Sequence, residues 1–357
     1  MKKASIKDLS RPELTKALEE AGSPSYRGRQ IFRWLYKVAV KSFDEMTDIP
    51  ASLRSVLAAK FRISFPETMG FKRSLSDGTT KYLFELEDAN TVETVLLPER
   101  ARNTICLSSQ VGCKFACDFC ASAPFGFIRN LSQGEILNEA LAVKLANPDA
   151  DITNLVFMGI GEPLDNYDNV LKSIRIFNDK DAFNIGARKI TVSTCGVVPG
   201  IARLAGEGLQ LELSVSLHAA NDDARSRLLP INRRYPLKDL MAACRDYIDA
   251  TNRIITFEYV LMAGVNSSRA DAMELGRLLK TIKCKVNVIS YNTVPGRPYK
   301  EPPGDDVKVF VKTLKRAGIN AMHRKPKGED IAAGCGQLRI STAHLTKKGG
   351  KMEEGAR

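Results

Sequence analysis

The chain has 357 residues, of which 44% are hydrophobic and 26% charged. That length suits two domains, or one barrel with an appendage, and can bury a core without disulfide staples. The composition excludes a collagen-like or disordered chain, and with no run of 18 apolar residues a membrane-spanning helix is not expected.

The formal net charge of +12 points to a polyanionic partner, nucleic acid first, with simple solubility as the plain alternative. Residues 308–357 carry twelve Lys/Arg against four Asp/Glu. The first ten residues lack the apolar stretch of a secretory signal, so the expected compartment is the cytoplasm. Eight cysteines in such a chain are not a disulfide framework.

The N-terminal part reads as helical. Ser10-Arg11-Pro12-Glu13 forms a capping box before an amphipathic run to residue 20, and further helices are expected over 26–38 and 51–60. Residues 1–68 are read as an accessory helical domain, which the net basic charge makes a candidate nucleic-acid (RNA) contact. Residues 69–102 read as a small antiparallel connector, with strands at 79–86 and 91–97 and a turn at Asp77-Gly78. From residue 103 to 345 strand and helix alternate. Strands are expected at 104–109, 154–158, 189–194, 211–217, 254–261, 285–290 and 319–323, with helices between them. Repeated βα units give a parallel sheet with helices outside, here an α/β partial (β/α)6 barrel. Residues 346–357 are read as a basic, disordered tail.

In such folds the chemistry lies at the C-terminal strand ends, and the unusual residues cluster there. The loop after the first barrel strand contains Cys113, Cys117 and Cys120 in C-x3-C-x2-C spacing, with Phe119 before the last cysteine. Gly159-Ile160-Gly161-Glu162-Pro163 follows the second strand, and Ser193-Thr194-Cys195-Gly196 ends the third. Ser216-Leu217-His218 ends the fourth, and Ser290-Tyr291-Asn292 the sixth. Three thiolates on one loop can bind iron or zinc. A structural zinc site is normally closed by four protein ligands, and no fourth follows at normal spacing. A [4Fe-4S] cluster on three cysteines leaves one iron open.

The three-cysteine loop resembles that of the radical S-adenosylmethionine (SAM) enzymes. The resemblance extends further. Ser108-Ser109-Gln110-Val111-Gly112-Cys113, Gly126 to Leu131, Met158 to Leu164, Ser193 to Pro199, Ser216 to Ala219 and Gly334-Cys335-Gly336-Gln337-Leu338 are similar to the RlmN/Cfr family of radical SAM RNA adenine methyltransferases. The resemblance implies a [4Fe-4S] cluster on Cys113, Cys117 and Cys120, with SAM at Gly161, Glu162, Ser193, Ser216, Leu217, His218 and Asn292. It implies that Cys335 becomes S-methylated, that Cys106 resolves the RNA adduct through a disulfide, and that Glu93 accepts the proton. The substrates implied are 23S rRNA and tRNA, methylated at adenine C2 with two SAM per turnover. An external electron donor and a thiol reductant are required.

Burial as small hydrophobes is the expected role of Cys195, Cys244 and Cys284. Family members commonly have Ala where this chain has Gly334, and Ser or a small apolar residue where it has Cys195. Two alternatives remain at this point: methylation at adenine C8, as in Cfr, and a non-catalytic zinc protein that binds RNA.

Overall fold

The computed structural model describes residues 3–334 and 336–338. Cys335 and the expected tail at 346–357 lie outside the described residues.

The N-terminal part opens with β1 (Ala4–Ser5) and α1 (Arg11–Glu19), which the expected capping box starts: Ser10 Oγ accepts the Glu13 N–H, and Glu13 accepts the Ser10 N–H. Helix α2 (Tyr26–Arg33) follows. The single helix expected over 26–38 changes pitch at its end, because Trp34–Val38 forms a π-helical turn closed by Ala39 in the left-handed region (φ +62°). After α3 (Ala51–Lys60) comes β2 (Phe61–Arg62), parallel to β1.

The connector strands are β3 (Glu67–Arg73), β4 (Thr80–Glu85) and β5 (Thr91–Glu99), all antiparallel. Strand β5 pairs antiparallel with β6 (Arg102–Cys106), the first strand of the parallel array. The cysteine loop is framed by a short hairpin of β7 (Gln110–Gly112) and β8 (Phe127–Asn130). Then come α4 (Gln133–Ala146), β9 (Ile152–Phe157), α5 (Tyr167–Asn178), β10 (Ile190–Thr194), α6 (Val198–Ala205) and β11 (Glu212–Ser216). Helices α7 (Asp222–Leu228) and α8 (Leu237–Thr251) precede β12 (Ile255–Leu261). The chain continues through α9 (Arg269–Leu279), β13 (Cys284–Ser290), α10 (Gly304–Arg316) and β14 (Asn320–Arg324).

The ten-stranded sheet runs β14-β13-β12-β11-β10-β9-β6-β5-β4-β3. Its seven strands from β6 to β14 are mutually parallel. Six βα units and a closing strand match the partial barrel expected from the alternation. Inside the parallel array every strand faces helices on one side, so residues such as Leu155, Val192, Leu213 and Phe257 are fully buried.

The N-terminal helices share this core. One continuous apolar cluster includes Leu14, Leu18, Phe32 and Leu35 together with Leu137, Leu141 and Phe177 of α4 and α5. A polar latch crosses the same contact. Lys7 is buried, and its Nζ donates to Asn138 Oδ1 (2.7 Å) and Ser64 O (3.0 Å). Gln133 Nε2 donates to Lys7 O (2.7 Å). Burial pulls the Lys7 ammonium down to about 7. Arg11 bridges Asp179 and Asp181 nearby.

Candidate active site

The cysteine loop that follows β6 and the C-terminal ends of β9 to β13 surround a solvent-open cavity of about 1000 Å³. Cys113, Cys117 and Cys120 form one wall with Phe115 and Phe119. Gly161, Glu162, Ser193, Ser216 and His218 lie around the rest. The residues expected to hold a cluster and SAM are thus brought together, with two exceptions. Leu217 is fully buried, its N–H donates to Glu258 O (3.0 Å), and it does not line the cavity. Asn292 faces a second cavity.

Burial pushes the Cys113 thiol up to about 12 and the Cys117 thiol well above its ordinary range, and the neighbouring cysteines and Glu162 add to both. Three mutually repelling thiolates in a desolvated wall need a cationic partner to ionise together. Among the described residues no three His, Cys, Asp or Glu side chains, these cysteines included, already converge closely enough to hold a metal ion. His218 has its own tasks: its Nδ1 accepts the Val260 N–H (3.0 Å), and its ring meets Phe119 edge-on with centroids 4.8 Å apart. Burial lowers its imidazole to about 3, which keeps it neutral. Three thiols on one cavity wall, with the imidazole engaged elsewhere, fit a cluster that takes three protein ligands.

The glycine loop after β9 is locked onto the cysteine hairpin by Gln110. Its Oε1 accepts the Glu162 N–H (2.9 Å), and its Nε2 donates to Asn130 Oδ1 and Asp165 Oδ2 (both 2.8 Å). Gly161 has φ +101°, and a Cβ there would fall 2.5 Å from Gln110 Cβ, so only glycine permits the approach. The buried Glu162 carboxylate accepts the Cys195 N–H (2.8 Å) and the Leu164 N–H (3.0 Å). Burial raises its pKa, and these bonds oppose the rise. Cys195 is buried, as expected, and also lines the cavity, beside the residues expected to hold SAM.

Sequence reasoning missed two buried charges that support this site. Arg225, fully buried in α7, donates to Cys195 O (2.7 Å), Ser216 O (3.0 Å) and Leu217 O (3.2 Å), tying the ends of β10 and β11 together. Glu139, fully buried in α4, accepts the Ser108 N–H (3.0 Å) and the Thr94 hydroxyl. Desolvation lifts its carboxyl to about 8. No helix was expected at α7, and Glu139 has no spacing signal that separates it from a solvated helix face.

A second cavity, of about 580 Å³, shares Met158, Ile289 and Leu338 with the first. Cys106 and Asn292 line it, with Val95 and Leu97 of β5 and the basic residues Arg324, Lys325 and Lys327. Gly334 lines this cavity and Gly336 the first. Cys106 is buried, and among the described residues no disulfide is formed. Glu93 lines neither cavity. It is 1% exposed and pairs with Lys81, Oε1 to Nζ 3.3 Å, while Lys81 Nζ donates to Ala332 O (3.1 Å). Glu93 therefore lies beside the segment that leads to Gly334, and it shares a sheet face with Val95, the partner of Cys106.

Residues 107–276 match the Radical SAM superfamily, and residues 4–63 match the ribosomal RNA large subunit methyltransferase N-terminal domain. A probable dual-specificity RNA methyltransferase RlmN from Bacillus cytotoxicus is 46% identical over 340 residues, 95% of this chain and 94% of the relative. The chain belongs to the RlmN family of radical SAM RNA methyltransferases. A dual-specificity RNA methyltransferase RlmN from Desulfotalea psychrophila is 44% identical over 97% of both chains. The crystal structure of a radical SAM methyltransferase from Sphaerobacter thermophilus superimposes with a TM-score of 0.90 at 44% identity, covering 94% of this chain and 99% of that one. Membership makes SAM the expected cosubstrate and RNA the methyl acceptor. No helix among the described residues is long and apolar enough to cross a membrane.

Proposed function

We propose that the protein methylates C2 of an adenosine in 23S rRNA and in tRNA through an S-methylcysteine at Cys335, consuming two SAM per turnover. The observation that carries this reading is the shared wall of the two cavities, one lined by three cysteines and the other by Cys106. The relatives' dual specificity supports rRNA and tRNA as substrates. Cys113, Cys117 and Cys120 would hold a [4Fe-4S] cluster, which when bound would supply the one electron needed for reductive cleavage of SAM.

The chain's own groups do the rest. The Cys335 sulfur takes a methyl group from one SAM, releasing S-adenosylhomocysteine; one hydrogen atom of that methyl would pass to the 5′-deoxyadenosyl fragment of the second SAM, and the carbon so freed bonds to adenine C2. An aromatic C–H carbon of this kind is not nucleophilic, so direct displacement from SAM cannot methylate it. Glu93, which pairs with Lys81 (Oε1 to Nζ 3.3 Å), takes the C2 proton. The Cys106 thiolate attacks the Cys335 sulfur, the methylated RNA leaves, one electron would return to the cluster that supplied it, and a disulfide remains. An external dithiol then reduces it by exchange. The reaction belongs to the cytoplasm, where both RNAs and a reducing thiol pool are found.

Mass spectrometry of nucleosides from rRNA and tRNA treated with the reduced enzyme and SAM tests the reading. It should reveal 2-methyladenosine, and 8-methyladenosine would overturn the regiochemistry. Cys335→Ala should form no RNA adduct. Cys106→Ala should trap RNA covalently on the protein, visible on a denaturing gel; normal turnover by that variant would contradict the assigned role.

A further inference from the structure

The loop after β13 braces the cysteine loop from behind. Tyr291 Oη donates to Phe119 O (3.5 Å), and Tyr299 Oη donates to Asp118 Oδ2. Between them Arg297 makes two bonds: Nη1 donates to Asp118 Oδ1 (3.2 Å), and Nη2 donates to Cys120 O (3.3 Å). None of Asp118, Tyr291, Arg297 and Tyr299 lines the cysteine-walled cavity. The brace is itself held: the Arg297 N–H donates to Val294 O (3.1 Å), and the Tyr291 and Tyr299 rings meet edge-on with centroids 5.8 Å apart. The Arg297 side chain is 19% exposed, against 45% for Asp118. A largely buried guanidinium is thus fixed to the backbone of one expected cluster ligand by an acid that stands between Cys117 and Cys120 in the chain. Lys114, the cysteine loop's own cation, pairs with Asp165 instead.

We propose that Arg297 sets the reduction potential of the cluster on Cys113, Cys117 and Cys120, and that Asp118 positions its charge and partly offsets it. This rests on the reading of the cysteine loop as the cluster site. The physical reason is charge. A cluster that accepts one electron from the external donor gains one negative charge. A cation nearby favours that reduced form, and an anion nearby opposes it; net charge and hydrogen bonding around a cluster are levers on its potential. Arginine suits the task because it stays charged at every working pH, and partial burial weakens the screening by water. Its bond to Cys120 is to the carbonyl oxygen, which leaves the sulfur to the metal. Arg297 therefore acts through the cysteine loop as a positioning residue and touches no reacting atom.

The test is a redox titration of the full-length, cluster-loaded protein without SAM or RNA, followed by electron paramagnetic resonance. Iron and acid-labile sulfide per chain establish equal loading. Arg297→Gln should lower the potential and Asp118→Asn should raise it. Each should change the ratio of reduced to oxidised cluster at a fixed potential by about threefold or more. The double variant should return close to the wild type. Arg297→Lys keeps the charge and should shift less than Arg297→Gln. Opposed shifts of these signs support the proposal, and any other pair overturns it, because a merely structural clamp has no reason to move the two variants in opposite directions. A shift as large in Arg297→Lys as in Arg297→Gln would assign the effect to shape and overturn it too. Should Arg297→Gln take up no cluster, Asp118→Asn decides alone: a raised potential supports the proposal, and an unchanged or lowered one overturns it. A wild type that holds no acid-labile sulfide overturns the cluster reading and the proposal with it.

Discussion

Glu139 is a fully buried carboxyl, poised between Thr94 on the connector and Ser108 at the head of the cysteine motif. Desolvation raises its pKa in the folded protein to about 8, well above the ordinary carboxyl value of about 4.5. The folded state therefore binds the extra proton, and stability is greatest below the unfolded pKa. It falls as pH rises through that window, by up to about 1.4 kcal/mol per pH unit. Glu139→Gln, a permanently neutral isostere, should melt like the wild type near pH 4.5 and above it at pH 8.5, with the gap opening between the two. Equal wild-type and variant melting temperatures across that range would contradict the assigned burial cost. The three clustered cysteines were legible in the sequence because their spacing is itself the signal. Glu139 and Arg225 were not, because a charged residue is read as solvated unless the tertiary contacts that bury it are known.

At the scale of elements, the site depends on the glycine loop after β9 closing onto the hairpin of β7 and β8. Gly161→Ala would drive a Cβ into Gln110 at a φ that side chains rarely adopt. SAM affinity should drop at least about tenfold, equivalent to ~1.4 kcal/mol, while the far-ultraviolet circular dichroism stays unchanged. Retained affinity by dialysis would mean that the loop has slack. The βα alternation was readable because buried strands and amphipathic helices have different periods. Two-residue strands such as β1 and β2 carry too few residues to show a period. The π-helical turn at Trp34–Val38 looks like plain helix until the left-handed Ala39 forces the wider turn.

For the whole molecule, the basic charge has to meet RNA while the cavities receive a single base. The N-terminal helices expose Arg33, Lys37 and Lys41, and a folded RNA must present its adenine unstacked. Reversing all three charges should weaken RNA binding and lower the slope of log affinity against log salt by about 2, while SAM binding stays unchanged. An unaltered salt slope would move the RNA contact elsewhere, with the basic rim at Lys325 and Lys327 next to be tried. Because the N-terminal core runs into α4 and α5 without a break, such surface changes probe RNA contact more cleanly than removal of the helices. The antiparallel strands join the barrel through β5 and β6, and the Glu99–Arg102 pairing leaves a turn of only Arg100 and Ala101 between them. That turn is a length gauge. One added residue, slipping β5 by one position, would carry Glu93 and Val95 to the opposite face while β6 and Cys106 stayed paired to β9. The enzyme would then be silenced with every reactive group still present, by a misalignment of frame rather than a loss of parts.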